Sequence, residues 1–302
     1  MNKDEIKRNI RLRDRAVRVL SKNGAFRAVC VKNTLAAQTA QKNHELNSIS
    51  AALLARALAA ASLSAALLKG EERIAIDIDG DGQISKVFAE AMQIGEVRGF
   101  IEYRNDIKEI NFTGIEDLIG NGNLKVSRIL YNKPEPIQGI VPLQKGDIAT
   151  DLSYYYMQSE QIPSALVLDC SINNEGIIEQ SGGILIQAMP GYNDLELLEV
   201  HDSLRNMKAL SEYLKDDLNP LECLKEILPF EFNVLNSTQI DFFCRCSKDN
   251  FTSKLITLGK QEIEAMKIDG HNELVCRYCN KHYTLLDEDF DKLIYDLTAI
   301  SN

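Results

Sequence analysis

At 302 residues the chain has room for about two domains, and 45% apolar residues permit a sizeable core. A net charge of −10 argues against a general nucleic-acid or membrane-surface protein. Residues 1–15 are charged and lack the apolar stretch of a secretory signal, so a cytoplasmic protein is expected.

In chain order, residues 17–31 alternate around Asn23-Gly24 and predict a hairpin with a type I′ turn, which needs positive φ at both central residues. A helix is expected from near Thr34, and another over 50–69 that stops at Gly70. The run 49–68 is mostly alanine and holds Arg56, which reads as a packed helix and not a membrane span. Strands are predicted at 73–78, 83–88, 97–103, 124–131 and 183–189, with a helix over 148–159 ahead of Pro163. Hairpins and helices without regular βαβ alternation indicate an α+β fold. After Pro190-Gly191, leucines recur at helical spacing among charged residues, and Pro220 and Pro229 punctuate the stretch. The expected organisation is a core domain over 1–190, a helical connector over 191–236 and a small metal-binding domain over 237–302. In the last, short helices are expected at 250–257 and 260–267, a strand-like run at 273–275 and an amphipathic helix over 287–300.

Four of the seven cysteines carry the chemistry. Cys244 and Cys246 form C-x-C, and Cys276 and Cys279 form C-x-x-C. Two chelating thiol pairs joined by a loop suit a tetrahedral four-sulfur site for one zinc ion. His271 and His282 lie nearby in sequence, but four cysteines already complete the tetrahedron. Four thiolates on one divalent ion leave net negative charge, which Arg245, Lys248, Arg277 and Lys281 are placed to moderate. Cys30, Cys170 and Cys223 sit among apolar residues and read as ordinary buried thiols.

Other readings weaken on inspection. Asp77-Ile78-Asp79-Gly80-Asp81-Gly82 opens like a calcium-binding EF-hand loop, but its twelfth position is Phe88 where a bidentate glutamate is required, so a hairpin turn is expected. No H-E-x-x-H, G-x-S-x-G or P-loop pattern occurs, and an enzyme is not expected. A thioredoxin-type motif wants a βαβ context, whereas Cys276 follows a strand-like run. Cys244–Asn302 holds eight Lys or Arg against ten Asp or Glu, a net −2, which disfavours nucleic-acid binding by the metal module.

Cys244-Arg245-Cys246-Ser247-Lys248, Leu258-Gly259 and Cys276-Arg277-Tyr278-Cys279 together resemble the redox-switch domain of the thirty-three-kilodalton chaperonin family. Gly80-Asp81-Gly82, Gly95-Glu96-Val97-Arg98-Gly99, Gly139-Ile140-Val141-Pro142-Leu143, Ser159-Glu160-Gln161-Ile162-Pro163-Ser164 and Gln187-Ala188-Met189-Pro190-Gly191 resemble its core segments, so the similarity spans nearly the whole chain. Two departures are Ala55, where glycine is expected, and Asp169-Cys170 in place of Gly-Val. The resemblance implies a bacterial holdase chaperone that needs no ATP and binds unfolded or partly folded proteins under oxidative stress. It implies inactivity when reduced and zinc-bound. Activity follows zinc release with Cys244–Cys246 and Cys276–Cys279 disulfides, and the oxidised form pairs into homodimers. The residues alone also admit an adaptor or regulator with a permanent structural zinc ribbon.

Overall fold

The computed structural model describes residues 13–104, 116–131, 133, 135–215 and 218–300. They fall into two compact units, Met1–Phe243 and Cys244–Asn302. In chain order the first unit contains β1 (Arg15–Ser21), β2 (Phe26–Lys32), α1 (Thr34–Asn43), α2 (Ser48–Ala65), β3 (Arg73–Gly80), β4 (Ile84–Met92), β5 (Glu96–Tyr103), α3 (Glu116–Ile119), β6 (Gly122–Ile129) and β7 (Ile137–Pro142). It continues with α4 (Ile148–Glu160), β8 (Ser164–Ile172), β9 (Ile178–Ala188), α5 (Asp194–Asn206), α6 (Leu210–Lys215), α7 (Pro220–Ile227), β10 (Phe232–Gln239) and β11 (Asp241–Phe242). The second unit contains α8 (Lys248–Leu255), a 3₁₀ turn at Ile256–Leu258, α9 (Lys260–Ile268), β12 (Glu273–Val275), β13 (His282–Thr284) and α10 (Asp287–Ile300). The α+β expectation holds.

The first unit has two sheets. One runs β10-β1-β2-β9-β8 and is antiparallel throughout. The other runs β11-β5-β4-β3-β6-β7, with only β11 parallel to its neighbour. Helix α2 packs against both, and its alanines allow that close approach on every side. Leu53, Leu54, Leu58 and Leu63 are fully buried, and 83% of the helix lies inside the protein. This apolar helix is the core of the fold. Asn47 starts it by accepting a hydrogen bond from the Ser50 N–H at 2.9 Å. It ends at Ala65, four residues before the expected stop, because the Leu67 and Leu68 N–H groups turn back to Ser64 and Ala65 in tighter three-residue turns.

Side-chain alternation along the first sheet decides the rest of the architecture. Val29 and Val31 of β2 join the core around α2, whereas Phe26, Ala28 and Cys30 join a second core on the opposite face. Leu185 and Ile184/Ile186 of β9 divide in the same way. Both faces of this sheet are therefore apolar, and the second face needs a cover. Helices α5, α6 and α7 supply it through Val200, Leu210, Leu214, Cys223, Leu224 and Ile227. The segment 191–236 is thus a set of helices laid on the sheet, becoming strand from Phe232.

Polar ties fix this cover. Asn193 and Asn219 each form a reciprocal capping box, with Glu196 and Glu222. Asn23 donates to Glu196 at 2.8 Å, and Ser203 of α5 donates to the Ile227 carbonyl of α7. The Ser211 N–H donates to Asp169 of β8 at 2.8 Å. One departure from the family pattern therefore holds the start of α6. The other, Ala55, is accommodated: it is buried, and its carbonyl accepts from Asn33 at 3.0 Å.

The β1–β2 turn corrects the type I′ expectation. Gly24 has φ +76°, but Asn23 is not left-handed. Its side chain does the work instead, accepting from the Ser21 hydroxyl at 2.7 Å and the Ala25 N–H at 3.1 Å. The EF-hand-like segment is the end of β3 and its turn. Lys86 and Lys125 hold Asp77 at 2.7 and 3.0 Å, and Lys86 also meets Asp79 at 2.5 Å, so these carboxylates are neutralised by lysine.

Candidate metal centre

The second unit is built around its four cysteines. Ser247 caps α8 directly after the C-x-C pair, accepting from the Asn250 N–H at 3.1 Å. Asn250 returns a side-chain bond to the Arg245 carbonyl at 3.0 Å, which pins the C-x-C loop against the helix start. The C-x-x-C pair tops the β12–β13 hairpin. The Cys276 N–H donates to the Lys281 carbonyl, and the Asn280 N–H donates back to the Cys276 carbonyl at 2.7 Å. Asn280 adopts φ +55°, a left-handed conformation asparagine tolerates, and this lets the chain curl around the sulfurs.

All four Sγ atoms lie within 4.8 Å of one another. Cys244 Sγ is 3.7 Å from Cys276 Sγ, and Cys246 Sγ is 3.4 Å from Cys279 Sγ. A tetrahedron of sulfurs about 2.3 Å from a central zinc has edges of about 3.8 Å, so the cluster has the size such an ion needs. Thiol donors also suit a soft or borderline metal. The four predicted ligands are brought together and can hold a metal ion. The two histidines stand outside this donor group, and His282 Nδ1 is engaged with Glu273 at 2.8 Å.

The electrostatics are uneven. Burial pushes the Cys244 and Cys279 thiols up. Burial also opposes a thiolate at Cys246, but contacts with the Tyr283 hydroxyl and the other three sulfurs outweigh it and bring that thiol down. Tyr283 was not legible as a site residue. Its Oη lies 3.2 Å from Cys246 Sγ and donates to the Cys246 carbonyl at 3.0 Å. Its place on β13, opposite Leu274, was the signal, and that strand was not predicted. Two of the basic residues expected to moderate the charge also have partners of their own. Lys248 pairs with Asp289 at 2.5 Å and ties α8 to α10, while Lys281 lies over the Tyr283 ring, 5.1 Å from its centre.

Beyond the sulfurs this unit has little to hold it. Among the described residues, Ile263, Leu285, Phe290 and Leu293 form its buried apolar core, with half-buried neighbours such as Leu274 and Ile294. Fewer than 60 residues around four such side chains fall below the size at which a core alone is comfortable.

Comparison with known proteins agrees with the geometry. The family model described as Hsp33 protein matches residues 14–285. A 33 kDa chaperonin of Streptococcus thermophilus is 33% identical over 289 residues, covering 94% of this chain and all of that protein. One from Citrifermentans bemidjiense is 32% identical over 289 residues, covering 94% and 98%. The crystal structure of the 33 kDa chaperonin of Thermotoga maritima superposes with a TM-score of 0.85 at 26% identity, covering 96% of this chain and all of that one. Matched along nearly its whole length in sequence and in fold, the chain belongs to the Hsp33 family of chaperones.

Proposed function

We propose that this protein is a cytoplasmic, redox-regulated and ATP-independent holdase that binds unfolded or partly folded proteins and keeps them from aggregating under oxidative stress. One observation carries the reading: a four-sulfur cluster closes a unit whose own apolar core is four buried side chains. Cys244, Cys246, Cys276 and Cys279 would hold one zinc ion. When bound, such an ion keeps the sulfurs deprotonated and contributes roughly 10–16 kcal/mol of apparent folding energy, against about 5–15 kcal/mol for the net stability of a whole domain.

Thiolate is the form that oxidants attack. Each peroxide takes two electrons from one sulfur pair and, with two protons, leaves as two waters. The products are Cys244–Cys246 and Cys276–Cys279 disulfides. The ligand set is then gone. These bonds close loops of one or two intervening residues and restrain the chain little. The second unit unfolds, and the loss reaches the first unit at its covalent junction. There β11 is only two residues long, and β10 is an edge strand with Val234 and Leu235 half-exposed. Fraying from Cys244 back through β11 and β10 reaches α7. Release of α5–α7 would uncover the apolar face of the first sheet together with the apolar faces of the helices themselves. That is a surface for clients, and oxidised chains pair through newly exposed regions into dimers.

The test is light scattering of an aggregating client with reduced, zinc-loaded protein and with peroxide-treated protein. A metallochromic dye follows the metal, and non-reducing peptide mapping follows the bonds. Protection is expected only after oxidation, with metal released and both short-range disulfides formed. Equal protection by the reduced form would sink the gating. Metal retained under peroxide and heat would favour a permanent ribbon. Cys244–Cys276 or Cys246–Cys279 links would overturn the pairing.

A further inference from the structure

We propose that Cys30 and Cys223 form a third redox site, a disulfide that latches α7 onto β2 and holds the connector shut. Cys30 lies on the central strand of the five-stranded sheet, on the face that the connector covers. Cys223 lies on the buried side of α7. Both are fully buried in one core cluster, where the helix packs on the strand, and after burial the Cys223 thiol is the neighbour that most raises the Cys30 thiol. No neighbouring motif explains the pairing. Two residues 193 positions apart place two thiols in one buried cluster at the seam between sheet and cover, where any apolar pair would pack as well.

In the closed state this pair is protected. Burial pushes the Cys30 thiol well up, and buried thiols in apolar surroundings are inert. Reaction needs α7 to lift. The geometry then makes the two sulfurs unequal: Cys223 leaves with the helix, while Cys30 stays on a strand hydrogen-bonded to β1 and β9. A peroxide oxidises the exposed Cys223 thiol to the sulfenic acid and is reduced to water. When α7 re-docks, the Cys30 sulfur attacks the sulfenic sulfur, the S–O bond breaks, and a second water leaves. Two thiols and one peroxide thus give one disulfide and two waters. The bond joins the sheet to the element that must leave it. Its effect is opposite in sign to oxidation of the four-sulfur cluster, because one opens the cover and the other fixes it closed. That opposition rests on the proposed holdase switch. The disulfide itself does not.

The experiment uses full-length, zinc-loaded, reduced protein. It is warmed mildly with peroxide, quenched by alkylation, digested without reductant and mapped by mass spectrometry. A Cys30–Cys223 linked peptide is expected, absent from Cys223→Ala and from Cys30→Ala. In the linked fraction, thermolysin should cut the connector at least tenfold more slowly than in Cys223→Ala treated in parallel. Should either variant fail to fold, the same comparison is made within the wild-type protein, between linked and freshly reduced fractions. Cys30 and Cys223 recovered alkylated, or joined to Cys170 or to the clustered cysteines, would overturn the site. A linked peptide with unchanged cutting would overturn the latch. Neither readout depends on client protection, so a failed holdase assay leaves this inference standing or falling by itself.

Discussion

Leu224→Ala tests whether docking of the connector is the gate. Leu224 is fully buried on α7 and belongs to the core cluster that the connector shares with Val17, Val19 and Ile184. Alanine is the best helix former, so the substitution leaves the helix itself intact and removes only packing. Truncating a buried leucine costs about 2–5 kcal/mol, with the spread set by how far the site collapses. At about 1.4 kcal/mol per tenfold, opening of α7 becomes roughly 30- to several-thousand-fold more populated. The assay pairs hydrogen exchange of the α7 and β10 amides with light scattering of a client in reducing buffer, the metal being followed throughout. Faster exchange and partial protection without oxidant are expected. Leu198→Ala, on the exposed side of α5, should change neither. If α7 exchanges faster while the reduced protein protects nothing, opening of the connector is not the gate. If exchange does not change, the burial argument itself fails.

Other outcomes follow from the same geometry. Stripping the metal with a chelator, or replacing Cys276 with serine, should abolish amide protection across residues 244–300 and leave α2 and the five-stranded sheet protected, as read by NMR. Tyr283→Phe removes a hydroxyl in contact with the Cys246 sulfur. A less hydrogen-bonded thiolate is more nucleophilic, so peroxide should release the metal several-fold faster, measured with a metallochromic dye. Asp14 is buried with Oδ2 accepting the Ala36 N–H at 2.8 Å near the start of α1, with Lys32 and Asp241 close by; burial lifts its pKa from 3.8 to about 7. A raised carboxylate pKa means the folded state binds the extra proton between those values, so stability falls as pH rises through that window and levels off above it. The fall is on the order of 4 kcal/mol. Asp14→Asn keeps an acceptor for Ala36, and its denaturant stability should lack that fall between pH 4 and pH 7; parallel curves would refute the assignment.

What the sequence displayed of this molecule depended on whether the signal was local. The four candidate ligands were legible because C-x-C and C-x-x-C fix chelating geometry within a few residues, and the structure brings all four sulfurs together. The last helix was legible to its ends from its apolar periodicity. Strands β7, β8, β10 and β13 were not. β13 is three residues long, and β10, Phe-Asn-Val-Leu-Asn-Ser-Thr-Gln, is a largely exposed edge without clean alternation. The role of the connector was half legible. Its leucines announced helices, but the surface they cover was written elsewhere, in β2. There Phe-Arg-Ala-Val-Cys-Val-Lys is apolar at nearly every position, a pattern that demands burial on both faces. Read as simple alternation, it suggested one buried face and left the second cover unassigned. Tyr283 and Asp169 act through contacts across a hairpin and between strand and helix, which spacing along the chain does not encode.

In the proposed switch, the division of stability between the two units is what would let a change at four sulfurs act at a distance. The larger unit rests on α2 and two sheets around an apolar core. The smaller unit has, among the described residues, four buried side chains in its apolar cluster beside its sulfur cluster, so in the proposed switch coordination would supply much of its stability. Between them the chain passes through β11. That strand is held by the Asp241 N–H on the Gly95 carbonyl and the Phe243 N–H on the Val97 carbonyl, both at 3.0 Å. Gly95 is required there: at φ +98° a Cβ would lie 1.8 Å from the Gln239 carbonyl, so the β4–β5 turn can approach the end of β10 only without a side chain. A two-residue strand seated against a glycine turn is secure while the chain beyond it is ordered. Once that chain is disordered, its pull on the junction opposes about two hydrogen bonds, each contributing about 1 kcal/mol net, and the packing of Phe242 on the core. The connector lies directly upstream, covering a sheet face that is apolar with or without it. On the proposed reading, oxidation therefore need not reach the core; it has only to remove order from the residues that follow Phe243.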